Sequence, residues 1–338
     1  LPVLGWMFRQ VFVLGSLVFV LPWKLFARIA REDIDASRLS RLEPEQGDVL
    51  VLLDSSWNAA FFSQAERLKQ QGVGLVAVVY DRIPLTHPGF YDRPLVQMFE
   101  EWFAWIVRTA DGYIAISQTI AEEVREDVSR RLGEPTASRR WFDHFPLGSE
   151  LDLARQGDAV SAPLRELFSG QRPVYLMVST IEPRKNHAYL LDAFEHLWAA
   201  EPTTRATLCI VGRIGWKCAS LVERIRNHPE LGKRLFMFND LDDAGLEYCY
   251  QHSRSLVFPS FVEGFGLPLV EAMQRGLPAM ASDIPVFREI GSDFLAYFKL
   301  DEPASLARLI QQFEATGQFP AQRPVTEWAW PGWRSAWA

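Results

Sequence analysis

FPSFVEGFGLPLVEAM, residues 258–273, is the stretch of sequence that decides the fold. It joins a short apolar run to a segment of helical periodicity through a loop that contains Gly264 and Gly266. Glycine lets the backbone approach a ligand closely, and the free N–H groups at the start of the helix favour an anionic or hydroxyl-rich ligand. Glu263 in the loop and Glu271 in the second helical turn can then address separate parts of one extended ligand. The alternative is a glycine turn with two solvated glutamates.

The segment STIEPRKNH, residues 179–187, has the same placement between a predicted strand and a predicted helix. Its adjacent cations, Arg184 and Lys185, have helical N–H groups behind them, which suits a phosphate or a diphosphate. The alternative is an ordinary cationic pair on a solvated loop.

Short apolar runs alternate with helix-period segments from residue 48 onward, which is the pattern of βαβ units around parallel sheets. A polar, poorly patterned stretch at 148–162 is interpreted as an interdomain linker. In open α/β sheets ligands bind at the carboxyl ends of the strands, so we expect the chemistry in a cleft between two such domains. The predicted strands are 49–53, 74–80, 112–116, 141–145, 173–178, 206–211, 235–238, 255–258 and 278–281.

Composition supports two domains and excludes several classes of protein. At roughly 100–200 residues per domain, 338 residues favour two. The formal charge of −7 gives no general basic field, so nucleic acid is excluded as the main partner. The three cysteines lack zinc-ligand spacing, so the sequence predicts neither a disulfide framework nor a structural metal. A reducing compartment fits such a cysteine content best.

The apolar run at 11–23 is shorter than the ~20 residues that span a bilayer, and no small-residue cleavage site follows it. One interpretation is a buried core helix followed by an amphipathic one. The other is an interfacial helix within residues 9–31 whose Lys and Arg side chains meet anionic lipid, which predicts peripheral membrane contact.

Glu263 and Glu271, with seven residues between them, resemble the E-x7-E motif of the retaining glycosyltransferases of family four. That resemblance implies the α/β fold called GT-B, with two Rossmann-like domains facing across a cleft. STIEPRKNH, VGRIGWK at 211–217 and ASDIPVFREIG at 281–291 resemble further segments of the family. The implied organisation is an acceptor-side domain at 1–160, a nucleotide-sugar domain at 161–320, and a tail at 321–338 that crosses back onto the first domain.

Carried over by position, the resemblance implies three catalytic residues. Arg184 and Lys185 bind the donor diphosphate, Lys185 also offsets charge on the leaving group, and Glu263 contacts the transferred sugar. Glu271 holds the ribose hydroxyls. The backbone of the loop and of the helix start lines the donor pocket, through Gly264, Phe265, Gly266 and Leu267. The resemblance further implies a front-face displacement that needs no protein nucleophile, no cofactor and no metal.

VVYDRIPLTHP, residues 78–88, resembles the family's strand-end segment near the acceptor. The family often has His before the Asp, and here Tyr80 stands in its place. Asp81 and His87 remain as candidates for contact with sugar or acceptor, against a structural role in the loop. Together with GDVLVLLDSSW at 47–57, the segment looks most like bacterial polysaccharide and O-antigen transferases of mannosyl type.

That likeness predicts a nucleotide-sugar donor, first GDP-mannose, with UDP-glucose, GDP-rhamnose and dTDP-rhamnose as alternatives. The acceptor is a saccharide or a lipid-linked saccharide, and the expected place is the cytoplasm or the inner face of the cell membrane.

Several alternatives stay open in the sequence. The family's early glycine-rich loop has no match before residue 48. Either the loop lies outside the given residues, or the chain is a non-catalytic nucleotide-sugar-binding or scaffold protein. A GT-B nucleotide-sugar epimerase is a further alternative. Polar residues at 54–58 and Ser117 either cap helices or face the cleft. Phe238 and Asn239 are candidates for contact with the donor base, and the alternative is an ordinary turn at Asp240. The tail carries four tryptophans that are predicted to bury at the domain junction: Trp328, Trp330, Trp333 and Trp337.

Overall fold

The computed structural model describes residues 43–53, 59–148, 160–170 and 172–331, which fold into two parallel β-sheets flanked by helices. The first sheet has four strands in the order β1-β2-β3-β4, each parallel to the next. Its strands are β1 (Val49–Leu52), β2 (Gly74–Val79), β3 (Gly112–Ala115) and β4 (Trp141–His144). Its helices are α1 (Ala59–Gln70), α2 (Ile83–Thr86), α3 (Arg93–Thr109), α4 (Gln118–Leu132) and α5 (Glu134–Ala137).

The second sheet has six strands in the order β10-β9-β8-β5-β6-β7, again all parallel. Its strands are β5 (Val174–Val178), β6 (Thr207–Val211), β7 (Leu235–Phe238), β8 (Ser255–Phe258), β9 (Ala279–Ser282) and β10 (Ala296–Phe298). Its helices are α6 (Ala162–Ser169), α7 (His187–Ala200), α8 (Ala219–Arg226), α9 (Asp243–His252), α10 (Leu267–Gln274), α11 (Pro285–Gly291) and α12 (Pro303–Thr316).

Every predicted strand occurs in the structure, with no end moved by more than one residue. Strands β6, β8 and β9 are buried along their whole length, because helices cover both faces of the sheet. Such strands read as continuous apolar runs rather than as alternating ones, which made them recognisable in the sequence. The structure adds one strand, β10, to the predicted elements, and five helices: α2, α5, α6, α11 and α12.

Each sheet has its own apolar core. The first is dominated by aromatic side chains of α3, among them the buried Trp102, Phe103 and Trp105. The second is larger and surrounds β5 and β8, and Trp328 and Trp330 pack against it. Nε1 of Trp330 donates a hydrogen bond of 2.8 Å to the carbonyl oxygen of Leu147, which follows β4 of the first sheet.

The described part of the tail therefore contacts both sheets. Trp333 and Trp337 lie outside the described residues, as do residues 9–31 and 54–58. Across the described ranges, every helix is too short or too polar to pass through a bilayer. The limits of the predicted domains and the membrane contact of residues 9–31 stay predictions.

Candidate functional site

The strand order of the second sheet places the site. From β5 the chain proceeds outward to β6 and β7, and it then returns to the other side of β5 to form β8. The direction of winding thus reverses between β5 and β8. At such a reversal the connections leave on opposite faces of the sheet and open a crevice at the carboxyl ends of the strands. Residues 179–187 follow β5 and residues 259–266 follow β8, so both predicted ligand segments meet at this crevice.

A buried cluster of charges occupies the crevice. The carboxylate of Glu263 lies 2.5 Å from Nη1 of Arg184 and 2.5 Å from Nζ of Lys185. Oγ of Ser260 donates a further hydrogen bond of 2.7 Å to Glu263. Arg184 also pairs with the buried Glu182, whose Oε1 is 2.7 Å from Nε. The three predicted catalytic residues are therefore brought together.

The electrostatics of the cluster follow from its burial. Burial raises the pKa of a carboxyl group, but the charges of Lys185 and Arg184 outweigh it and the pKa of Glu263 lies below its ordinary value. Burial lowers the pKa of Lys185, an effect that Glu263 opposes and the charge of Arg184 reinforces. Glu182 is less well compensated, and burial raises its pKa. The cluster thus holds two cations and an ionised Glu263 away from bulk water.

The start of α7 supports this cluster from behind. Asn186, in the left-handed conformation at φ 57°, ends the short turn that carries Arg184 and Lys185 and begins the helix. His187 is 1% exposed, and its Nε2 lies 3.3 Å from Oγ of Ser179. Within the described residues its Nδ1 has no hydrogen-bond partner. Burial and the charge of Lys185 lower the pKa of His187 to about 3, so the ring is neutral.

The glycine loop after Glu263 lies against the first sheet. A Cβ on Gly264 would come within 2.3 Å of the carbonyl oxygen of Tyr80 and 3.0 Å of Cβ of Asp81, so only glycine fits here. Gly266 has φ 129°, a conformation open to glycine, and it precedes α10. The predicted acceptor-side residue Asp81 thus lies directly against the loop that carries Glu263 and Gly264. Burial raises the pKa of Asp81, and its Oδ1 accepts a hydrogen bond of 2.9 Å from N of Ile83.

The other predicted donor residues lie around the start of α10. The Phe265 side chain is buried and packs edge-on to Trp330, so it contributes backbone to the loop while its ring serves the core. Leu267 is the first residue of α10 and is exposed. Glu271 does not join the charge cluster, and its Oε2 accepts a hydrogen bond of 2.5 Å from Oη of Tyr250.

His87 is exposed, and its ring stacks on that of Phe90 with 5.7 Å between the ring centroids. Phe90 in turn lies 5.9 Å from Phe261 of the loop after β8. Trp216 holds the same segment, because its Nε1 donates a hydrogen bond of 2.9 Å to the carbonyl oxygen of Phe90. The segment of the first sheet that carries His87 therefore meets the second sheet, but His87 itself is not in the charge cluster.

A cavity of 470 Å³ opens beside the cluster at the carboxyl ends of β5, β6 and β7. Ser179, Thr180, Gly212 and Asn239 are among the residues that line it, together with apolar side chains that include Leu241. A flat heterocycle with polar edges suits such a lining. Phe238, where the donor base was also expected, is the last residue of β7 but is not in this lining.

Sequence reasoning missed Glu182, Ser260 and Tyr250 as parts of the site. Glu182 and Ser260 lie inside the segments that were quoted for it, and their polarity next to apolar strands was the available signal. Tyr250 carries no such signal, because it lies on a helix of ordinary pattern. In the described ranges, no three His, Cys, Asp or Glu side chains form a group that could hold a metal ion.

Comparison with solved structures defines the class of fold. HepE of Anabaena, in complex with UDP and glucose, superposes with a TM-score of 0.60 at 17% identity, over 81% of this chain and 70% of that one. Sucrose-phosphate synthase from Thermosynechococcus elongatus gives 0.57 at 20% identity, over 79% and 64%. The predicted GT-B fold is confirmed.

Sequence comparison identifies related proteins. Residues 164–323 match the family model of glycosyl transferases group 1. The serotype-specific mannosyltransferase WbdA of Escherichia coli is 32% identical over 295 residues, 86% of this chain and 36% of that protein. O-antigen chain mannosyltransferase B of Escherichia coli is 36% identical over 118 residues. The chain thus spans little more than a third of the length of WbdA. The resemblance to family-four glycosyltransferases is confirmed.

Proposed function

We propose that this chain is a hexosyltransferase of bacterial polysaccharide assembly. It transfers a sugar, for which mannose is our first choice, from a nucleoside-diphosphate sugar to a saccharide or lipid-linked saccharide. The observation that carries the proposal is the buried cluster of Arg184, Lys185 and Glu263 at the crevice between β5 and β8. The relatives named as mannosyltransferases support the choice of mannose and of an O-antigen type of product.

The charges of the cluster fit a donor of this kind. A diphosphate presents several anionic oxygens to Arg184 and Lys185, and these cations then exchange Glu263 for phosphate. Glu263, released from its ion pairs, accepts hydrogen bonds from hydroxyls of the sugar. The cavity at the ends of β5, β6 and β7 has room for the base. One extended ligand thereby provides partners for Arg184, Lys185 and Glu263.

The proposed reaction retains the anomeric configuration. The acceptor oxygen forms a bond to C1 of the sugar on the face from which the diphosphate departs. The bond from C1 to the phosphate oxygen breaks, its electron pair leaves with the diphosphate, and the acceptor proton passes to a phosphate oxygen. Lys185 and Arg184 offset the negative charge that develops on the leaving group. Because the chain itself supplies these cations, we propose that the reaction needs no metal and no cofactor.

Asp81 is the proposed contact to the acceptor or the transferred sugar from the first sheet. It lies against Gly264, next to the carboxylate that receives the sugar, and its pKa is raised by burial. His87, at the exposed end of the same segment, is the outer candidate. Peripheral contact of residues 9–31 with the inner face of the membrane belongs to the proposal where the acceptor is lipid-linked.

The test is a donor screen on the full chain. The protein is incubated with GDP-mannose, UDP-glucose, GDP-rhamnose and dTDP-rhamnose, and the release of nucleoside diphosphate is measured with and without EDTA. We expect release of GDP from GDP-mannose at a rate that EDTA leaves unchanged, and an α-linked product by NMR from the α-linked donor. Binding of donors without release of diphosphate from any of them would favour the non-catalytic scaffold instead, and formation of an epimeric nucleotide sugar would favour an epimerase.

A further inference from the structure

The carboxylate of Glu271 is held by one neighbouring helix. Tyr250 of α9 donates its hydroxyl proton to Oε2 of Glu271, on α10, across 2.5 Å. Among the described residues, Oε1 of Glu271 receives no hydrogen bond, and the side chain is only partly buried. One oxygen of the carboxylate is therefore fixed, and the other is left for a ligand.

The natural ion-pair partner of Glu271 is held elsewhere. Arg275 directly follows α10, four positions after Glu271, at the spacing that favours a pair with Glu271. Its guanidinium instead binds Glu247 of α9, with Nη2 and Nε at 2.6 and 2.8 Å from Oε2. Nη1 of Arg275 reaches only the backbone carbonyl of Glu271, at 2.9 Å. Glu247 thus keeps Arg275 from neutralising the carboxylate that Tyr250 orients.

Tyr250 is well suited to fix an orientation. The side chain is 2% exposed, and the guanidinium of Arg275 lies over its ring at 5.0 Å from the centroid. Burial, and the charge of Glu271 next to it, raise the pKa of Tyr250 well above its ordinary value, so the hydroxyl remains a donor. A buried ring has few rotamers, and the direction of its hydrogen bond is accordingly constant.

We propose that Tyr250 is a positioning residue that turns Oε1 of Glu271 towards the ribose of the donor and thereby sets the preference for ribose over deoxyribose. The inference rests on the proposed function, in which Glu271 holds the ribose hydroxyls. The ribose is remote from the bond that breaks at C1. The effect therefore falls on the affinity for the donor and leaves the chemical step alone.

The experiment compares GDP with 2′-deoxy-GDP by isothermal titration calorimetry on the full chain, for wild type and for Tyr250→Phe. Because a hydrogen bond to a charged group is stronger than one between neutral groups, we expect wild type to prefer GDP by about tenfold or more. In Tyr250→Phe the preference should fall to less than about threefold. In the transfer reaction the same variant should raise KM for the donor several-fold and leave kcat within about twofold.

Tyr175→Phe is the matched control. Tyr175 is buried, and its hydroxyl donates a hydrogen bond of 2.7 Å to the carboxylate of Glu314. Tyr175 lies near the amino end of β5, away from the crevice. It should keep the preference for GDP while losing a comparable hydrogen bond. Glu271→Ala should abolish the preference. If Glu271→Ala abolishes it and Tyr250→Phe behaves like Tyr175→Phe, the positioning role is wrong and the proposed function stands. If Glu271→Ala keeps it, or if wild type binds neither GDP nor UDP, the proposed donor site is wrong and the inference falls with it.

Discussion

Oγ of Ser117 donates a hydrogen bond of 2.9 Å to the carbonyl oxygen of Gly264, across a separation of 147 positions in the sequence. Oγ of Ser117 also accepts a hydrogen bond of 3.3 Å from N of Ile120 and so caps α4. Ser117, which the sequence left open between a helix cap and a cleft residue, serves both purposes. The loop next to Glu263 is thereby tied to the first sheet, and its position depends on how closely the two sheets approach.

Gly264→Ala should disturb this approach. The added Cβ would lie 2.3 Å from the carbonyl oxygen of Tyr80, a backbone atom that cannot rotate away. The end of β2, together with Asp81, must then move away from the loop that carries Gly264. We expect transfer activity to fall by more than tenfold while the circular dichroism spectrum remains that of wild type.

Gly89→Ala is the control for that substitution. Gly89 lies nine positions after Tyr80, and a Cβ there meets no atom within 4 Å. Its activity should stay within about twofold of wild type. If both variants are equally active, the close approach of Gly264 to Tyr80 is not needed for transfer.

Glu289 of α11 should contribute to the stability of the protein through a second contact with α4, the helix that Ser117 caps. Its carboxylate accepts hydrogen bonds from N of Gln118 at 2.7 Å and from N and Oγ1 of Thr119 at 2.8 and 2.6 Å, at the start of α4. It thus satisfies amides at a helix start, where a negative charge is also favourable. Glu289→Ala should lower the free energy of unfolding by about 1–2 kcal/mol in urea titrations.

Glu122→Ala provides the comparison. Glu122 is on α4, and the hydrogen bond that it accepts within the described residues is one of 2.8 Å from the side chain of Gln118. We expect a change below about 0.5 kcal/mol, as for other exposed pairs within a helix. Equal losses in the two variants would mean that the contact between α11 and α4 adds nothing to stability.

The sequence was most informative where strands are buried on both faces. Strands β5 and β8 were predicted within one residue of their observed ends, and the segments that follow them contain the whole charge cluster. The order of strands was not available from apolar runs, because a run does not say which neighbour it pairs with. The GT-B resemblance implied two Rossmann-like domains but no particular strand order. In the structure, the reversal between β5 and β8 explains why Arg184 and Glu263 meet.

The state of the cluster could not be read from the sequence. Arg184 and Lys185 were assigned to the diphosphate and Glu263 to the sugar, yet in the structure they bind one another. Which charges pair depends on distances of a few ångströms that only tertiary contacts set. The link between Tyr250 and Glu271 was invisible for the same reason, since it joins two helices that are separate in the sequence.

Replacing Lys185 should impair both binding and transfer. Lys185→Ala removes one of two cations from the diphosphate, and it leaves the buried Glu263 with Arg184 alone. We expect turnover to fall well over tenfold and the Kd for GDP to rise. Lys233→Ala, which removes an exposed lysine from the loop before β7, should change neither quantity. Wild-type turnover in Lys185→Ala would contradict the assignment of the site.

Glu263→Gln should separate binding from transfer. Without its charge, residue 263 no longer competes with phosphate for Arg184 and Lys185, and GDP should bind more tightly than it binds to wild type. Turnover should still fall well over tenfold, because the amide is a poorer acceptor for the hydroxyls of the sugar. Calorimetry with GDP and initial rates with GDP-mannose measure the two effects. Weaker binding of GDP together with unchanged turnover would exclude the proposed exchange of partners.

His187 should make the stability of the protein depend on pH between 7 and 5. Its pKa is about 3 in the folded protein, against about 6.5 in an unfolded chain, because burial and Lys185 disfavour the charged ring. The unfolded chain therefore binds the proton first, and the stabilisation that is present above pH 6.5 declines as the pH falls towards 3. From pH 7 to pH 5 this linkage lowers the free energy of unfolding by about 2 kcal/mol. Urea titrations at both pH values should show that His187→Gln loses less stability than wild type between pH 7 and pH 5, by that same amount of about 2 kcal/mol. Equal losses in the two proteins would mean that the buried ring accepts a proton in the folded state.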